Sequence, residues 1–577
     1  MNSVDALGSD RAGTSYAPQQ QQLMDQTAFD QRLSDAQQAG ADPSPRVVSA
    51  QPEERLDTSA QQANIRLVIV SNRLATFDRS QPKTGGLAAA LEPVVERSGA
   101  VWMGSSGNLS DDSERPANLT QRGEGHVAGL DLPAAHYPGY CQGFANSTLW
   151  PALHSLPDRI SGSEEHYESY SEINAFMARA AFDFRDRDAY WVHDYHLLPL
   201  GFCLRKLGID RPIGFFLHTP WPAPDMMERV PNHHELMRSM LEYDLLGFQT
   251  NWDLNNFLAC LYSHLGLASE DGLVISERGR TLCRKFPIGI DPKQFAENAA
   301  ESLADQNDYI SSLQKKLNGA KLAIGIDRLD YTKGIDNRIE AFNHVFAAEP
   351  RSISLLQIAT LTRPEIEAYG EYKRNVDGLV SRVNGEHGTD EWTPIFYENN
   401  PLTQAQLAGL YRAAHVGVVT PLRDGMNLVA KEYVAAQDPN DPGVLVLSKF
   451  AGAAEDFNEN EALLVDPTRP EEIAAALSKA AKMSLEERIQ RWRAMMDKLE
   501  AYTIHNWSED FIRELDNSRV TVPADQFRNL GFGWVNEPQM PLYRTRPALD
   551  AELKRTLDRL WFLPTTNGAN HMGGAAP

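Results

Sequence analysis

The sequence alternates short, continuous apolar runs with stretches of helical periodicity, and this pattern limits the fold more than any other feature. The first runs are 66–71, 188–194 and 211–218. An apolar helix is expected between the last two, over 196–208. Strands that alternate with helices in this way predict a parallel, doubly wound sheet.

A second series of the same kind follows residues 285–295, with a hinge expected at 289–293. Its apolar runs are 321–327, 353–360, 414–420, 443–448 and 462–467. We therefore predict the α/β class, with two doubly wound, Rossmann-like domains that face each other across a cleft. The expected units are a disordered, Gln-rich N-terminal tail (1–64), the first domain (65–290), the second domain (291–500), a terminal helix that packs back on the first domain (501–520) and a C-terminal extension of unassigned role with disordered last residues (521–577).

Composition and charge argue against several classes of protein. The formal net charge of -23 would repel nucleic-acid phosphates, so no nucleic acid is expected as a partner. The four cysteines form no Cys-x-x-Cys pair, which argues against a disulfide framework or a zinc site and favours a reducing compartment. No apolar run approaches the roughly 18 residues of a membrane span, and no signal peptide is visible. A cytoplasmic protein without a membrane partner is expected, and a homo-oligomer stays open.

Polar residues collect at the ends of the predicted strands, which is where open parallel sheets bind ligands. Those of the first series are Arg73, Asp194, His196 and His218, and those of the second are Arg328, Arg363, Arg423, Asp424 and Gly425. The arginines, with Lys333, form a cationic cluster in an acidic protein, which favours a phosphate-bearing ligand. Gly85 and Gly86 open a helix whose bare amides suit an anion. The ordinary alternative is that each is a cap or a paired surface charge, for example Arg328 with Asp327 or Asp330.

The segment 420–433, TPLRDGMNLVAKEY, places several polar groups on one strand–turn–helix unit. Gly425 allows close backbone approach, and the Asp424 carboxylate can accept hydrogen bonds from a ligand. Glu432 lies nearly two helical turns further, roughly 10 Å along the axis, so one unit could reach two parts of one ligand. The chain has no GxxxxGK[ST] loop, HExxH or Gly-x-Ser-x-Gly motif, so the pattern indicates group transfer rather than hydrolysis by a metal or an activated serine.

From about Arg66 to Leu515 the chain resembles the trehalose-6-phosphate synthase family. The motifs that carry the resemblance are SNR, the Gly-Gly loop, LWPALH, WVHDYHLLPL, GFFLHTPWP, DLLGFQT, RLDYTKG and TPLRDGMNLVAKEYVAAQDP. The resemblance implies a GT-B fold with an acceptor domain followed by a nucleotide-sugar domain. It also implies transfer of glucose, with retention, from UDP-glucose to glucose 6-phosphate, which gives α,α-trehalose 6-phosphate and UDP. No cofactor and no metal are implied.

The resemblance also assigns roles to single residues, position by position. The implied catalytic residues are Arg328, Lys333, Asp424 and His218. The implied donor-binding residues are Gly85, Gly86, Arg328, Lys333, Asp424, Gly425, Met426, Asn427, Leu428 and Glu432. The implied acceptor-binding residues are Arg73, Trp150, Asp194, Tyr195 and Arg363.

The chain departs from the family mainly on the acceptor side. Cys141 stands where a tyrosine that contacts the acceptor phosphate is expected, and ALHSLP and IATLTR also differ from the usual motifs. A related transferase with another phosphorylated acceptor, such as a glucosylglycerol-phosphate synthase, is therefore an alternative. Whether UDP, GDP or ADP carries the sugar also stays open. A non-catalytic regulatory subunit is disfavoured because the donor residues are present. A fused phosphatase is disfavoured because the segment after Leu515 is too short.

Overall fold

The structure is a computed structural model that describes residues 65–74, 86–111, 117–305 and 307–518. The side chains of 86–90 and of the residues next to 306 are outside this description. The predicted N-terminal tail and C-terminal extension also lie outside the described residues. Among the helices that the structure does describe, none combines the length and the apolar character needed to span a membrane.

The first part of the described chain forms a sheet of ten strands with helices between them. The strands are β1 (Leu67–Arg73), β2 (Val101–Ser110), β3 (Asn118–Arg122), β4 (Gly125–Pro133), β5 (Ala189–His193), β6 (Ile213–Phe216), β7 (Leu245–Phe248), β8 (Ser269–Glu270), β9 (Leu273–Ser276) and β10 (Gly279–Lys285). The α-helices are α1 (Gly86–Ser98), α2 (Trp150–Leu153), α3 (Glu164–Phe182), α4 (Leu200–Lys206), α5 (Pro224–Met227), α6 (His233–Met240) and α7 (Asn251–Leu265). A π-helix (Pro138–Leu149) and two 3-10 turns (Pro157–Arg159, Tyr195–Leu197) complete this part.

The second part forms a sheet of six strands. Its helices are α8 (Pro292–Asp305), α9 (Asn307–Leu317), α10 (Ile335–Ala348), α11 (Glu367–His387), α12 (Gln404–Ala413), α13 (Leu428–Ala436), α14 (Ala453–Asp456), α15 (Pro470–Lys482), α16 (Leu485–Ala501) and α17 (Ile504–Asn517). Its strands are β11 (Lys321–Arg328), β12 (Ile353–Thr360), β13 (Ile395–Glu398), β14 (Val416–Val419), β15 (Val444–Ser448) and β16 (Leu463–Val465), with a 3-10 turn at Tyr331–Lys333.

The strand orders are those of doubly wound sheets, which confirms the predicted fold class. The second sheet runs β13-β12-β11-β14-β15-β16, and all its pairs are parallel. The first runs β3-β4-β2-β1-β5-β6-β7-β10-β9-β8 and is parallel from β4 to β10. Its central strands begin with buried, mainly apolar residues because helices cover both faces, and β5, for example, is buried at every position.

Two local expectations were wrong. The first sheet has antiparallel edges, where β3 pairs with β4 and where β9 pairs with both β8 and β10. The strand β3 is exposed along its whole length, so it carries no apolar signal in the sequence. The helix expected over 196–208 is divided, because Pro199 stands between a 3-10 turn and α4, and a proline cannot donate the backbone bond that a continuous helix needs.

The last helix, α17, packs on the first sheet although it follows the second sheet in the chain. Trp507 lies 5.0 Å from Trp191 of β5 between ring centroids, and Phe511 stacks on the same ring at 4.8 Å. Phe511 also fills the space above Gly214 and Gly247, where a Cβ would lie 2.7 and 2.8 Å from its ring. The helix therefore connects the two halves after the second sheet is complete. The domain boundaries themselves stay predictions.

Candidate active site

The polar residues at the strand ends meet across the cleft between the two sheets. The indole Nε1 of Trp150, on the side of the first sheet, donates to Asp330 Oδ1 at 3.4 Å. Arg363, which follows β12 in the second sheet, donates to the hydroxyl of Tyr195 at 2.9 Å. These contacts bring the carboxyl ends of both sheets to one site, as parallel sheets allow.

Lys333 and Asp424 form a charged pair on the side of the second sheet. Lys333 ends the 3-10 turn that follows β11, and its ammonium lies 2.5 Å from Asp424 Oδ2. Burial raises the pKa of Asp424, but the charge and the hydrogen bond of Lys333 outweigh burial, so this pKa lies below its ordinary value. Asp424 is therefore ionised at neutral pH, and Lys333 balances its charge.

The turn that follows β14 presents the start of α13 to the cleft. Asp424 Oδ1 accepts the amide of Gly425 at 3.1 Å, and Oδ2 accepts the side-chain amide of Asn427 at 3.0 Å. Asn427 is left-handed with φ of 67°, and its side chain does not cap the helix that begins at Leu428. The amides of this first turn can therefore bind an anion or a hydroxyl oxygen. Met426 is buried beneath the turn.

Gly425 contacts the backbone of the opposite sheet directly. A Cβ added at Gly425 would lie 2.0 Å from the carbonyl oxygen of His218, which follows β6. A Cβ at Gly452 would lie 1.8 Å from the carbonyl oxygen of Gly425 itself. The turn is thus enclosed by main chain on two sides, and only glycine fits at either position.

Arg328 is the last residue of β11 and is exposed toward the cleft. Within the described part of the chain it has no ion pair, because both nearby acids are bound elsewhere. Asp327 pairs with the buried Arg338 at 2.6 Å, and Asp330 pairs with Arg363 at 3.4 Å. The salt-bridge alternative therefore does not apply to Arg328, whose guanidinium can bind a ligand.

Arg363 is held in place by several side chains. It is left-handed with φ of 49°, and its Cζ lies 4.1 Å from the centre of the Trp150 ring, which Arg328 also approaches at 5.2 Å. Its guanidinium donates to the Tyr369 hydroxyl and to Asp330. Such cation–aromatic packing keeps two positive charges close together over one indole.

Asp194 and His218 lie side by side at the ends of β5 and β6. Asp194 has a left-handed φ of 76°, and its Oδ1 accepts the backbone amide of His218 at 3.3 Å. Burial raises the pKa of Asp194 to about 6, although the two backbone hydrogen bonds and nearby arginines oppose the rise. Burial lowers the pKa of His218 to about 3, so its imidazole is neutral at pH 7. His218 Nε2 lies 3.1 Å from His193 Nδ1, which leaves Nδ1 of His218 for another partner.

Glu432 lies on α13, on the side of the second sheet. Burial raises the pKa of its carboxyl to about 7, and a long hydrogen bond of 3.4 Å from the Tyr411 hydroxyl opposes this only weakly. No cation is paired with Glu432 among the described residues. A half-buried carboxylate with so little compensation is suited to accept hydrogen bonds from the hydroxyl groups of a ligand.

Arg73 and Cys141 border the first-sheet side. Arg73 is exposed at the end of β1. Burial raises the pKa of Tyr137, and the charge of Arg73 partly opposes this rise. Tyr137 hydrogen-bonds to Cys141, which lies in the π-helix. Burial raises the pKa of the Cys141 thiol, and this hydrogen bond and the charge of Arg363 oppose the rise. Both predicted acceptor arginines therefore act on the neighbourhood of Cys141. π-Helical segments are often found at functional sites.

His154 belongs to the site but was not selected from the sequence. It is 3% exposed, its ring packs on Trp150 at 4.1 Å, and its Nδ1 donates to the Trp150 carbonyl at 2.7 Å. Its Nε2 is buried without a partner among the described residues. Burial lowers the pKa of His154 to about 4; the charge of Asp424 opposes this shift, and the charge of Lys333 adds to it. Its position at the end of the LWPALH motif could have marked it as a site residue, but only Trp150 was selected from that motif.

The remaining predicted residues are two glycines. Gly86 is the first residue of α1. Gly85 lies outside the described residues.

Comparison with known proteins gives a consistent result. The trehalose-6-phosphate synthase of Sinorhizobium fredii (strain NBRC 101917 / NGR234) is 43% identical over 463 residues, which are 78% of this chain and 98% of that protein. An α,α-trehalose-phosphate synthase (UDP-forming) from Burkholderia xenovorans, solved in complex with glucose-6-phosphate, is 38% identical with a TM-score of 0.74 and aligns over 78% of this chain and 100% of its own. A solved structure from E. coli, bound with UDP-2-fluoro glucose, is 37% identical with a TM-score of 0.73 and aligns over 79% of this chain and 99% of its own.

The family assignment rests on most of the chain. Residues 60–517 match glycosyltransferase family 20, and this range contains every strand and helix described above. The resemblance inferred from the motifs is thereby confirmed. This chain belongs to glycosyltransferase family 20.

Proposed function

We propose that this chain is a trehalose-6-phosphate synthase that moves glucose from UDP-glucose to glucose 6-phosphate and retains the α configuration. The observation that carries the proposal is the guanidinium of Arg328, which has no ion pair among the described residues, together with Lys333 and the amides of α13. This arrangement suits a diphosphate whose negative charge increases as it leaves. The motifs that carry the family resemblance also contain the residues expected to bind the donor.

In the proposed mechanism the second sheet binds the donor. Arg328, Lys333 and the first-turn amides of α13 hold the diphosphate, and Asp424 accepts hydrogen bonds from the glucose hydroxyls. Glu432 accepts hydrogen bonds from the ribose hydroxyls. The bond from glucose C1 to the phosphate oxygen breaks, and these preorganised charges stabilise the departing diphosphate more in the transition state than in the ground state.

The acceptor binds on the side of the first sheet. Arg73 and Arg363 bind its phosphate, and Trp150, Asp194 and Tyr195 line its sugar ring. The acceptor hydroxyl attacks C1 from the face that the diphosphate leaves, and its proton passes to the leaving phosphate oxygen. One C–O bond forms as the other breaks, so the anomeric configuration is kept and UDP and the disaccharide phosphate are released. Neutral His218 offers Nδ1 to a donor hydroxyl.

We assign the protein to the cytoplasm, because its four cysteines are free thiols, as expected in a reducing compartment. The sugar nucleotide and the sugar phosphate are its proposed partners.

A panel of donors and acceptors tests the proposal. The purified chain is incubated with UDP-, GDP- or ADP-glucose and with glucose 6-phosphate or glycerol 3-phosphate, and nucleoside diphosphate release is measured. Release with UDP-glucose and glucose 6-phosphate is expected, with trehalose 6-phosphate as the product. Release only with glycerol 3-phosphate would assign the chain to the alternative reaction. That reaction stayed open because Cys141 stands where the family has a tyrosine.

A further inference from the structure

Three histidines lie together away from the cleft. His233 and His234 begin α6, and His264 is the residue before the last of α7. One nitrogen of each lies within 4.8 Å of the corresponding nitrogens of the other two. The ring centroid of His233 lies 4.1 Å from that of His234 and 4.9 Å from that of His264. No sequence motif indicated this cluster, because the fold joins residues from two separate helices.

The hydrogen bonds of two of these rings fix which nitrogen is free. His233 Nδ1 lies 3.0 Å from the carbonyl oxygen of Val230, and His264 Nε2 lies 3.0 Å from that of Pro224. A carbonyl can only accept, so these two nitrogens carry the protons. The lone pairs are then on Nε2 of His233 and Nδ1 of His264. Histidines that bind metals commonly donate their second N–H to a backbone carbonyl in this way.

One nitrogen of the cluster is free to bind a ligand, since His233 Nε2 is buried without a hydrogen-bond partner among the described residues. The negative charge of Glu228 acts on both His233 and His234, and at His234 it opposes the positive charge of Arg238. His264 stands at the C-terminal end of α7, where the helix dipole favours positive charge, and this offsets the unfavourable dipole at the start of α6.

We propose that His233, His234 and His264 bind one divalent first-row transition cation, with Zn²⁺ as the representative ion. Three neutral imidazoles are a ligand set that Zn²⁺ accepts, with water completing the coordination. The ion lies outside the transfer site, since His264 is about 20 Å along α7 from its first residue, which adjoins the second sheet through Glu455.

The proposed site is structural. The ion joins α6 to α7, behind the segment that follows His218. That segment is already bound to the start of α7, because the Trp221 amide donates to Asp253 at 2.9 Å and the Asn256 side-chain amide donates to the Trp221 carbonyl at 3.0 Å. A metal bound to all three rings adds a cross-link at the far end of the same helix, so it stabilises the folded state.

The test uses the full chain after treatment with a chelator and removal of that chelator. Zn²⁺ is titrated by calorimetry and its effect on Tm is measured. One equivalent is expected to bind, and Tm is expected to rise by about 3 °C at roughly 100-fold excess over Kd. Co²⁺ is then used as a spectroscopic probe, because nitrogen ligands in a tetrahedral site intensify its visible absorption.

Two variants and a control identify the ligands. His234→Ala removes an exposed ring and should leave the metal-free Tm unchanged while abolishing the Zn²⁺ shift and the Co²⁺ spectrum. His264→Gln should do the same. His344→Ala, an exposed histidine on α10, is the matched control and should bind Zn²⁺ like the original chain.

The proposal is overturned if His234→Ala keeps the Zn²⁺ shift, or if the control loses as much binding as the cluster variants, which would indicate an adventitious ion only. Because His234 is exposed and its loss does not require the fold to rearrange, that variant decides the matter even if His264→Gln fails to fold. The readouts are stoichiometry, Tm and absorption, so they do not depend on the proposed transferase activity.

Discussion

Glu432 offers a test in which stability and donor binding change in opposite directions. Its carboxyl is half-buried, has no cationic partner among the described residues, and has a pKa of about 7 instead of the ordinary 4.5. Its negative charge is therefore unfavourable in the free protein and is useful only when a ligand donates hydrogen bonds to it. Glu432→Gln removes the charge and keeps the shape.

The size of the effect follows from the pKa difference. Below pH 4.5 the carboxyl is protonated in both the folded and the unfolded state, so it costs nothing. As pH rises from 4.5 to about 7, the unfolded chain releases the proton and the folded chain keeps it, so stability falls. At about 1.4 kcal/mol for each pKa unit, the cost is about 1 kcal/mol at pH 5 and about 3 kcal/mol at pH 8. Glu432→Gln should recover these amounts.

Thermal or denaturant unfolding at pH 5 and pH 8 measures the difference. The variant should exceed the original chain by about 3 °C in Tm at pH 8 and by about 1 °C at pH 5. Glu371→Gln, an exposed residue of α11, is the matched control and should show no pH-dependent gain. Equal stability of Glu432→Gln and the original chain at pH 8 would refute the reasoning.

Glu432→Gln is expected to weaken donor binding, although it should stabilise the folded protein. Only the ionised carboxylate accepts both ribose hydroxyls, so the original chain should bind UDP-glucose about 10-fold more weakly at pH 6 than at pH 8. Glu432→Gln should bind it about 10- to 100-fold more weakly at pH 8, with little dependence of Kd on pH. Calorimetric titration decides between these outcomes. A Kd of the variant equal to that of the original chain would remove Glu432 from the donor site.

Three further substitutions test the two sides of the site. Arg328→Ala should lower turnover by about 10²-fold or more, because the departing diphosphate loses a preorganised charge, and near-normal kcat would contradict this. Arg363→Lys keeps the charge but loses the planar fork, so KM for glucose 6-phosphate should rise about 10-fold while KM for UDP-glucose stays the same; an unchanged acceptor KM would exclude the contact. His154→Phe keeps the packing on Trp150, whose carbonyl still accepts a backbone amide, so Tm should change little. Its kcat should fall about 10-fold if Nε2 contacts substrate, and an unchanged kcat would assign His154 to the core.

The sequence predicted those parts of the fold in which burial on both faces requires apolar residues. Strands such as β11 and β14 are buried on both faces, so their composition marks them, and the polar residues that follow them mark the edge where ligands bind. This was enough to place Arg328 and Asp424 in one region. The strand β3 was not predicted, because an exposed edge strand needs no apolar residues.

What could not be predicted depends on tertiary contacts. The freedom of Arg328 became visible only when Asp327 was found paired with Arg338, a residue that no motif had singled out. The unpartnered nitrogen of His154 depends on burial against Trp150, and the three-histidine cluster depends on the packing of α6 on α7. Periodicity and spacing describe one helix or strand at a time, so they carry no information about contacts between side chains of separate elements.

The contact between Gly425 and the carbonyl of His218 sets a mechanical limit on the two sheets. Because main chain meets main chain there, the gap between the halves at this point is limited by the radii of backbone atoms and not by side chains. Any movement that separates the halves at this point also carries His218 away from Asp424. The close approach of the two halves at this point thus depends on a glycine that contributes no side-chain group to the site.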